Sequence, residues 1–411
     1  MSSYQYEAVG DQPNSGTSMK CICVSSGLCC YCFVLVYGIL LFVGVQKGYS
    51  QFVELDVNRT QIYCDADPAL SPASFPEYIA WPGCPIGNKT EEDFEKCGSA
   101  CFDASLITGM SRFNRQNKYQ IVSYMSRKAD GHDVVTLRGW WLPVDVPDAP
   151  RIVVQHGSRS NSNRYRTMLM AYSLRTLGFG VLVTNFRDHC YSDSSEYKTQ
   201  GWGYDYPFDL LGAWDYLKDD PEGILGGKLP ASKVGISGIS TGAFITAIAF
   251  GLEPDIPAVW VDSPPFTPQS VFAYGFELGS PEPLRFLVPF FVNPAWSLIS
   301  RKSPVDMELY TPEKTMPDGP DSQRSIFVVG NKQDLMIPLH DIEDMVSLIK
   351  RFPEKYELKG AIVTDISCND EHHAIWSLQD HDAFLEQACK FWTSVFGISS
   401  PNCSSHEEVT L

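Results

Sequence analysis

Positive charge is scarce in this sequence. Lys and Arg total 32 against 49 Asp and Glu, a formal net charge of −17 over 411 residues. A surface of that average sign repels a phosphate backbone, so nucleic acid is not an expected partner. Internal repeats and low-complexity runs are lacking too. With 44% hydrophobic and 20% charged residues, and 28 Pro and 31 Gly spread through the chain, collagen, coiled coil and wholesale disorder are excluded. Two local gaps say more. No charged residue occurs between Lys20 and Lys47, and no cysteine between Cys32 and Cys64. The second gap divides the 13 cysteines into five near the N-terminus (Cys21, Cys23, Cys29, Cys30, Cys32) and eight from Cys64 onward.

The chargeless gap contains LCCYCFVLVYGILLFVGV over 28–45, apolar or Gly throughout. At ~1.5 Å of helical rise per residue, roughly 20 residues cross a bilayer core, and this run just suffices. It is expected to be an uncleaved single-pass signal anchor after a short tail (1–27). Initiation at Met19 would instead make it resemble a secretory signal, but no small-residue cleavage site follows. Flanking charge does not orient the span, because Lys20 stands on one side and Lys47 and Arg59 on the other. Sequons at Asn58, Asn88 and Asn402 and the eight distal cysteines argue for a lumenal or extracellular body. Cys64, Cys84, Cys97 and Cys101 lie in a Pro/Gly-rich lead-in or stalk (46–115) where disulfides are expected, their pairing open. Cys21 and Cys23 sit beside the span as palmitoylation candidates.

From about Tyr119 the texture changes. Strands are expected over 119–126, 134–142, 151–155, 180–185, 233–237, 258–262, 325–329 and 361–366, several of them short continuous apolar runs suited to burial on both faces of a parallel sheet. Helical stripes lie between: Tyr165, Met168, Leu169, Tyr172; then Phe208, Leu211, Trp214, Leu217; then 244–252. This alternation predicts an α/β fold, a mostly parallel eight-stranded sheet with helices on both faces, over 116–398, followed by a C-terminal tail (399–411).

Chemistry concentrates at strand ends. Gly238-Ile239-Ser240-Thr241-Gly242 joins a buried strand to a helix as G-x-S-x-G. The turn is so sharp that a side chain at either Gly would meet backbone, and it exposes the Ser240 hydroxyl at the sheet's C-terminal edge. A serine hydroxyl needs a general base oriented by a carboxylate. Asp334 follows the seventh strand and Asn369-Asp370-Glu371-His372-His373 the eighth, in the order nucleophile, acid, base. His373 is preferred as base for its distance to Trp376, with His372 as the alternative; Asp262 is the reserve acid. The alternative reading of Asp334 is an Asx-turn residue. Oxyanion donors are expected from the N–H groups of Thr241 and of Ser158, in the loop Gln155-His156-Gly157-Ser158-Arg159, with His156 structural. No cofactor or metal is expected.

Together these motifs, with Asn185-Phe186-Arg187-Asp188-His189-Cys190-Tyr191-Ser192-Asp193, resemble the α/β-hydrolase superfamily, and within it the monoglyceride-lipase, lysophospholipase and serine-aminopeptidase-like serine hydrolases. In such proteins the loop after the fourth strand usually reads Arg-Gly-His-Gly-x-Ser; here Asp188 and Cys190 replace the glycines, which questions the loop's shape. The resemblance implies an ester, thioester or amide substrate. The insertion at about 266–304 stands where such proteins carry a cap, and its apolar run 284–292 would line an acyl pocket or rest on lipid. A lipid or acyl ester is the expected substrate. A short-peptide amidase, or a catalytically silent interaction module on the same fold, are the alternatives; oligomeric state is left open.

Overall fold

The computed structural model describes residues 26–61, 64, 119–366 (apart from 147, 163 and 321), 373–398 and 403, with the side chains of 26–36, 40, 59 and 165 outside that description. Its centre is an eight-stranded sheet in the order β1-β2-β4-β3-β5-β6-β7-β8. The strands are β1 Gln120–Met125, β2 Thr136–Leu142, β3 Arg151–Gln155, β4 Gly180–Thr184, β5 Val234–Ile239, β6 Ala258–Asp262, β7 Arg324–Asn331 and β8 Tyr356–Thr364. β2 runs antiparallel to β1 and β4, and the other pairings are parallel. This is the strand order of the α/β-hydrolase fold.

The burial follows from the sequence pattern. β3 to β7 are buried along their whole length, as their continuous apolar runs require, whereas edge strand β8 alternates. β8 therefore begins at Tyr356, five residues before the strand expected at 361–366, and ends at Thr364, because the charges of Glu357 and Lys359 on an edge strand hide its apolar signal. Alternate side chains feed two cores. Val153 and Ile236 join one with helices α3 (Trp202–Asp219) and α4 (Thr241–Leu252); Ile152 and Val154 join the other with α2 (Tyr165–Thr176) and the last helix (His381–Val395).

Between β6 and β7 the chain builds a cap of two helices, α5 (Pro268–Leu278) and α6 (Val288–Lys302), joined through a short turn at Glu282–Leu287. Thr267 and Ser270 close a capping box at the start of α5. Against this cap lies α1 (Ser26–Phe52). Gly48 permits the approach: a Cβ there would fall 2.7 Å from the Phe272 ring and 2.3 Å from Ile299. Phe52 packs among Trp202, Phe272 and Trp296 at ring separations of 5.7, 6.0 and 5.7 Å.

Just after α1, as far as Cys64, the described chain stays on the body. Gln200 Nε2 donates to the carbonyls of Gln51 (2.8 Å) and Glu54 (3.1 Å), Trp202 Nε1 donates to that of Phe52 (2.8 Å), and Cys64 is disulfide-bonded to Cys190. A second disulfide joins Cys389 to Cys403. Asn58 is exposed in a short helical turn, Val57–Thr60. Among the described residues no helix is long and apolar enough to cross a membrane. The run 28–45 is helical throughout as part of α1, with the side chains of 28–36 and 40 outside the described residues. His372, Asn88, Asn402, Cys21, Cys23, Cys84, Cys97 and Cys101 also lie outside them.

Candidate active site

The link between β5 and α4 is a single residue. Ser240 occupies it with φ 57° and ψ −126°, a region L residues rarely adopt and one that costs about 1–3 kcal/mol. Its neighbours leave no alternative. A Cβ on Gly238 would stand 2.4 Å from the Gly242 carbonyl oxygen, and one on Gly242 would stand 2.4 Å from that of His156. The Ser240 N–H donates to the Asp262 carbonyl at 2.8 Å, tying the turn to β6. Gly157 presses on the serine from the β3 loop, its missing Cβ position only 2.9 Å from Ser240 Cβ.

Asp334 and His373 meet from the loops after β7 and β8. His373 Nδ1 lies 2.7 Å from Asp334 Oδ2, with both side chains buried. The other carboxylate oxygen, Oδ1, accepts from the N–H groups of Met336 (2.7 Å) and Ile337 (2.9 Å). The turn and the histidine thus engage different oxygens of one side chain. The histidine loop is set by Trp376, which stacks on Trp260 of β6 at 6.3 Å. His373 Nε2 is buried with no hydrogen-bond partner among the described residues, and it shares a cavity of about 140 Å³ with Ser240. Asp262, the reserve acid, instead accepts from the Ser263 hydroxyl at 3.0 Å, and burial pushes its carboxyl up to about 6.

The same cavity is lined by Gly157 and Ser158, whose hydroxyl donates to Gln200 Oε1 at 2.7 Å. Thr241 is the first residue of α4, where N–H groups have no intrahelical acceptor and carry the positive end of the helix dipole. His156 is fully buried: Nδ1 donates to the Gly157 carbonyl (2.8 Å) and Nε2 accepts from the Phe186 N–H (3.5 Å). Burial, reinforced by His189 5.0 Å away ring to ring, holds it well below the usual histidine range and therefore neutral. Burial also brings His189 down to about 4.

In the next loop the two residues standing where similar proteins have glycine adopt glycine-like backbones, Asp188 at φ 65° and Cys190 at φ 48°. The loop shape is kept by added restraints. Asp188 Oδ1 accepts from the Ser195 N–H at 3.0 Å, Cys190 is bonded to Cys64, and buried Arg187 pairs with Asp209 at 2.7 Å. Among the described residues, no group of three or more His, Cys, Asp or Glu side chains could hold a metal ion.

Arg159, Arg164 and Arg166 line the cavity with Ser240 and His373, and no motif marked them. The available signal was compositional: three arginines within eight residues of a chain poor in positive charge. Tyr274 of the cap was also missed; its hydroxyl donates to the Asp334 carbonyl at 2.9 Å.

No protein-family model matches the chain, and no curated protein matches it. Solved structures do. The Pyrococcus furiosus esterase Pf2001 superposes with a TM-score of 0.50 at 20% identity, covering 77% of this chain and 97% of that one. The α/β hydrolase GrgF from Penicillium sp. sh18 gives 0.48 at 13% identity, over 69% of this chain and 100% of that one. A puromycin-hydrolyzing peptidase from Mycobacterium tuberculosis gives 0.47 at 16%, over 68% and 39%. At such identity the likeness to the esterase is one of fold, and the chain has the α/β-hydrolase fold.

Proposed function

We propose that this chain is a serine hydrolase that cleaves carboxylic esters through an acyl-enzyme. One observation carries the reading: Asp334 holds His373 Nδ1 at 2.7 Å while Nε2, the basic nitrogen, is left without a partner in the cavity that contains Ser240. A buried carboxylate on Nδ1 fixes the tautomer that leaves Nε2 basic and stabilises the imidazolium when it forms. Ser240 Oγ adds to the ester carbonyl as Nε2 takes its proton. The N–H groups of Ser158 and Thr241 receive the oxyanion. Collapse expels the alcohol, which takes the proton from His373. Water then repeats the sequence on the acyl-enzyme, leaving the carboxylic acid and free Ser240. An interaction module would have no use for this hydrogen bond, so the silent reading is not favoured.

The proposed setting is a membrane, with the body on the oxidising side. Two disulfides and the exposed sequon at Asn58 support the side. The apolar run 28–45 supports the anchor, and its C-terminal part rests on the cap, where Tyr37 stacks on Phe291 at 4.6 Å. Phe42 of α1 and Phe286 and Phe290 of the cap are 63%, 70% and 66% exposed. Large exposed aromatics on adjoining helices suit the headgroup boundary of a bilayer. No cap residue lines the cavity around Ser240. Of the two roles expected for the apolar cap run, resting on lipid is therefore the one supported, and lipid or acyl esters are the proposed substrates.

The test is turnover of short p-nitrophenyl esters by the full-length protein. Ser240→Ala is expected to abolish it; turnover equal to wild type would overturn the assignment.

A further inference from the structure

The cavity holding Ser240 and His373 gathers positive charge in an otherwise acidic chain. Arg159, Arg164 and Arg166 are half-buried and line it together. Each has a different surrounding. Arg159 has a left-handed backbone (φ 52°), pairs through Nη2 with Asp56 at 3.1 Å, and keeps a buried Nε without a hydrogen-bond partner. The Arg164 side chain makes no hydrogen bond or ion pair among the described residues. Arg166 acts electrostatically on Asp262, just behind the nucleophile turn.

Arg159 is already offset by Asp56 and Arg166 has contacts of its own, so Arg164 is the guanidinium whose charge an anion in the cavity would offset. The guanidinium fork suits oxyanions in particular, since its parallel N–H groups match a carboxylate or phosphate edge. Among the described residues, every cation lining the cavity is arginine. The cavity, about 140 Å³ and open to solvent, accommodates a compact group beside Ser240. Half-exposed Met336 lines the cavity, and the half-exposed Leu335 precedes it in the chain, an apolar path outward.

We infer that the substrate is an anionic ester: an acyl ester bearing a phosphate or carboxylate close to the scissile bond, held by Arg159, Arg164 and Arg166 while its hydrocarbon part leaves over Leu335 and Met336. The inference rests on the hydrolase reading above and adds the substrate's charge. The reaction stays a hydrolysis: water adds across the acyl C–O bond, giving a carboxylic acid and an alcohol, one of which retains the anionic group.

The experiment compares kcat/KM of the full-length protein on matched pairs: 1-oleoyl-glycerol-3-phosphate against 1-oleoyl-glycerol, and p-nitrophenyl hemiglutarate against p-nitrophenyl valerate. The anionic member of at least one pair is expected to be favoured by about tenfold or more, as one or two charge-assisted hydrogen bonds provide. The pair showing it distinguishes phosphate from carboxylate. Arg164→Gln should collapse that ratio and Arg164→Lys should restore part of it. Should the variants not fold, inorganic phosphate and glutarate are tested as inhibitors of wild-type p-nitrophenyl valerate turnover, at least one of which is expected to compete. Neutral esters cleaved as well as or better than both anionic partners, or a ratio untouched by Arg164→Gln in a folded variant, would overturn the inference and leave the hydrolase standing. No turnover of any ester, with Ser240 unreactive toward a fluorophosphonate, would defeat the hydrolase reading itself.

Discussion

Asp334 divides its two oxygens between two tasks: Oδ2 stands 2.7 Å from His373 Nδ1, while Oδ1 accepts two backbone N–H groups of its own turn. Substitutions can separate these tasks. Asp334→Asn keeps an oxygen for the turn but replaces the carboxylate on the imidazole, so thermal stability should change little while kcat/KM falls by about 10³–10⁴. Asp334→Ala should lose both. Steady-state kinetics with thermal unfolding of both variants checks this, and near-wild-type activity in Asp334→Asn would remove the acid from the mechanism.

The strained backbone at Ser240 has a measurable cost. At φ 57° alanine remains strained and glycine does not. Ser240→Gly should therefore be more stable than Ser240→Ala by about 1 kcal/mol in denaturant unfolding, though both are inactive. The reverse order would mean the turn relaxes without the hydroxyl.

Asp262 gives a pH signature. Burial raises its folded value to about 6, so between its unfolded value and about pH 6 the native state holds more protons than the unfolded state. Stability contributed by this group falls as pH rises through that window and stays low above it. Asp262→Asn has no such cost. Relative to wild type it should gain stability between pH 4 and about 7, by up to about 3 kcal/mol, and then plateau. Urea unfolding at pH 4, 5.5 and 8 checks the trend; a gain that shrinks with rising pH contradicts it.

The Cys64–Cys190 bridge closes 126 residues of sequence beside the loop after β3, where Asn161 Nδ2 donates to the Thr60 carbonyl at 3.2 Å. Replacing both cysteines by serine should lower stability by about 2–5 kcal/mol and lower kcat as Cys190 loses its restraint. Calorimetry and ester turnover report the two effects separately. An unaltered melting temperature would show that the bridge adds nothing to the fold.

How much of this the sequence disclosed depends on the range of the interactions. Strands β3 and β6 were delimited residue for residue, because burial on both faces leaves an unbroken apolar run between polar turns. The Ser240 turn was readable because its two glycines answer to local backbone collisions. Other features arise only in three dimensions. The first half of β8 is masked by edge charges, and the pairing of Cys64 with Cys190 and the docking of α1 on the cap join segments far apart in sequence. The arginines at 159, 164 and 166 carry no motif, and only the folded chain gathers them around Ser240.

The central claim is that Ser240 is an activated nucleophile. Its most direct test is covalent labelling of the full-length protein with a fluorophosphonate, followed by mass spectrometry of the modified peptide. The account predicts one adduct on Ser240, absent in Ser240→Ala and slowed by orders of magnitude in Asp334→Asn. A protein that takes no label, or one labelled equally after Ser240→Ala, would contradict it.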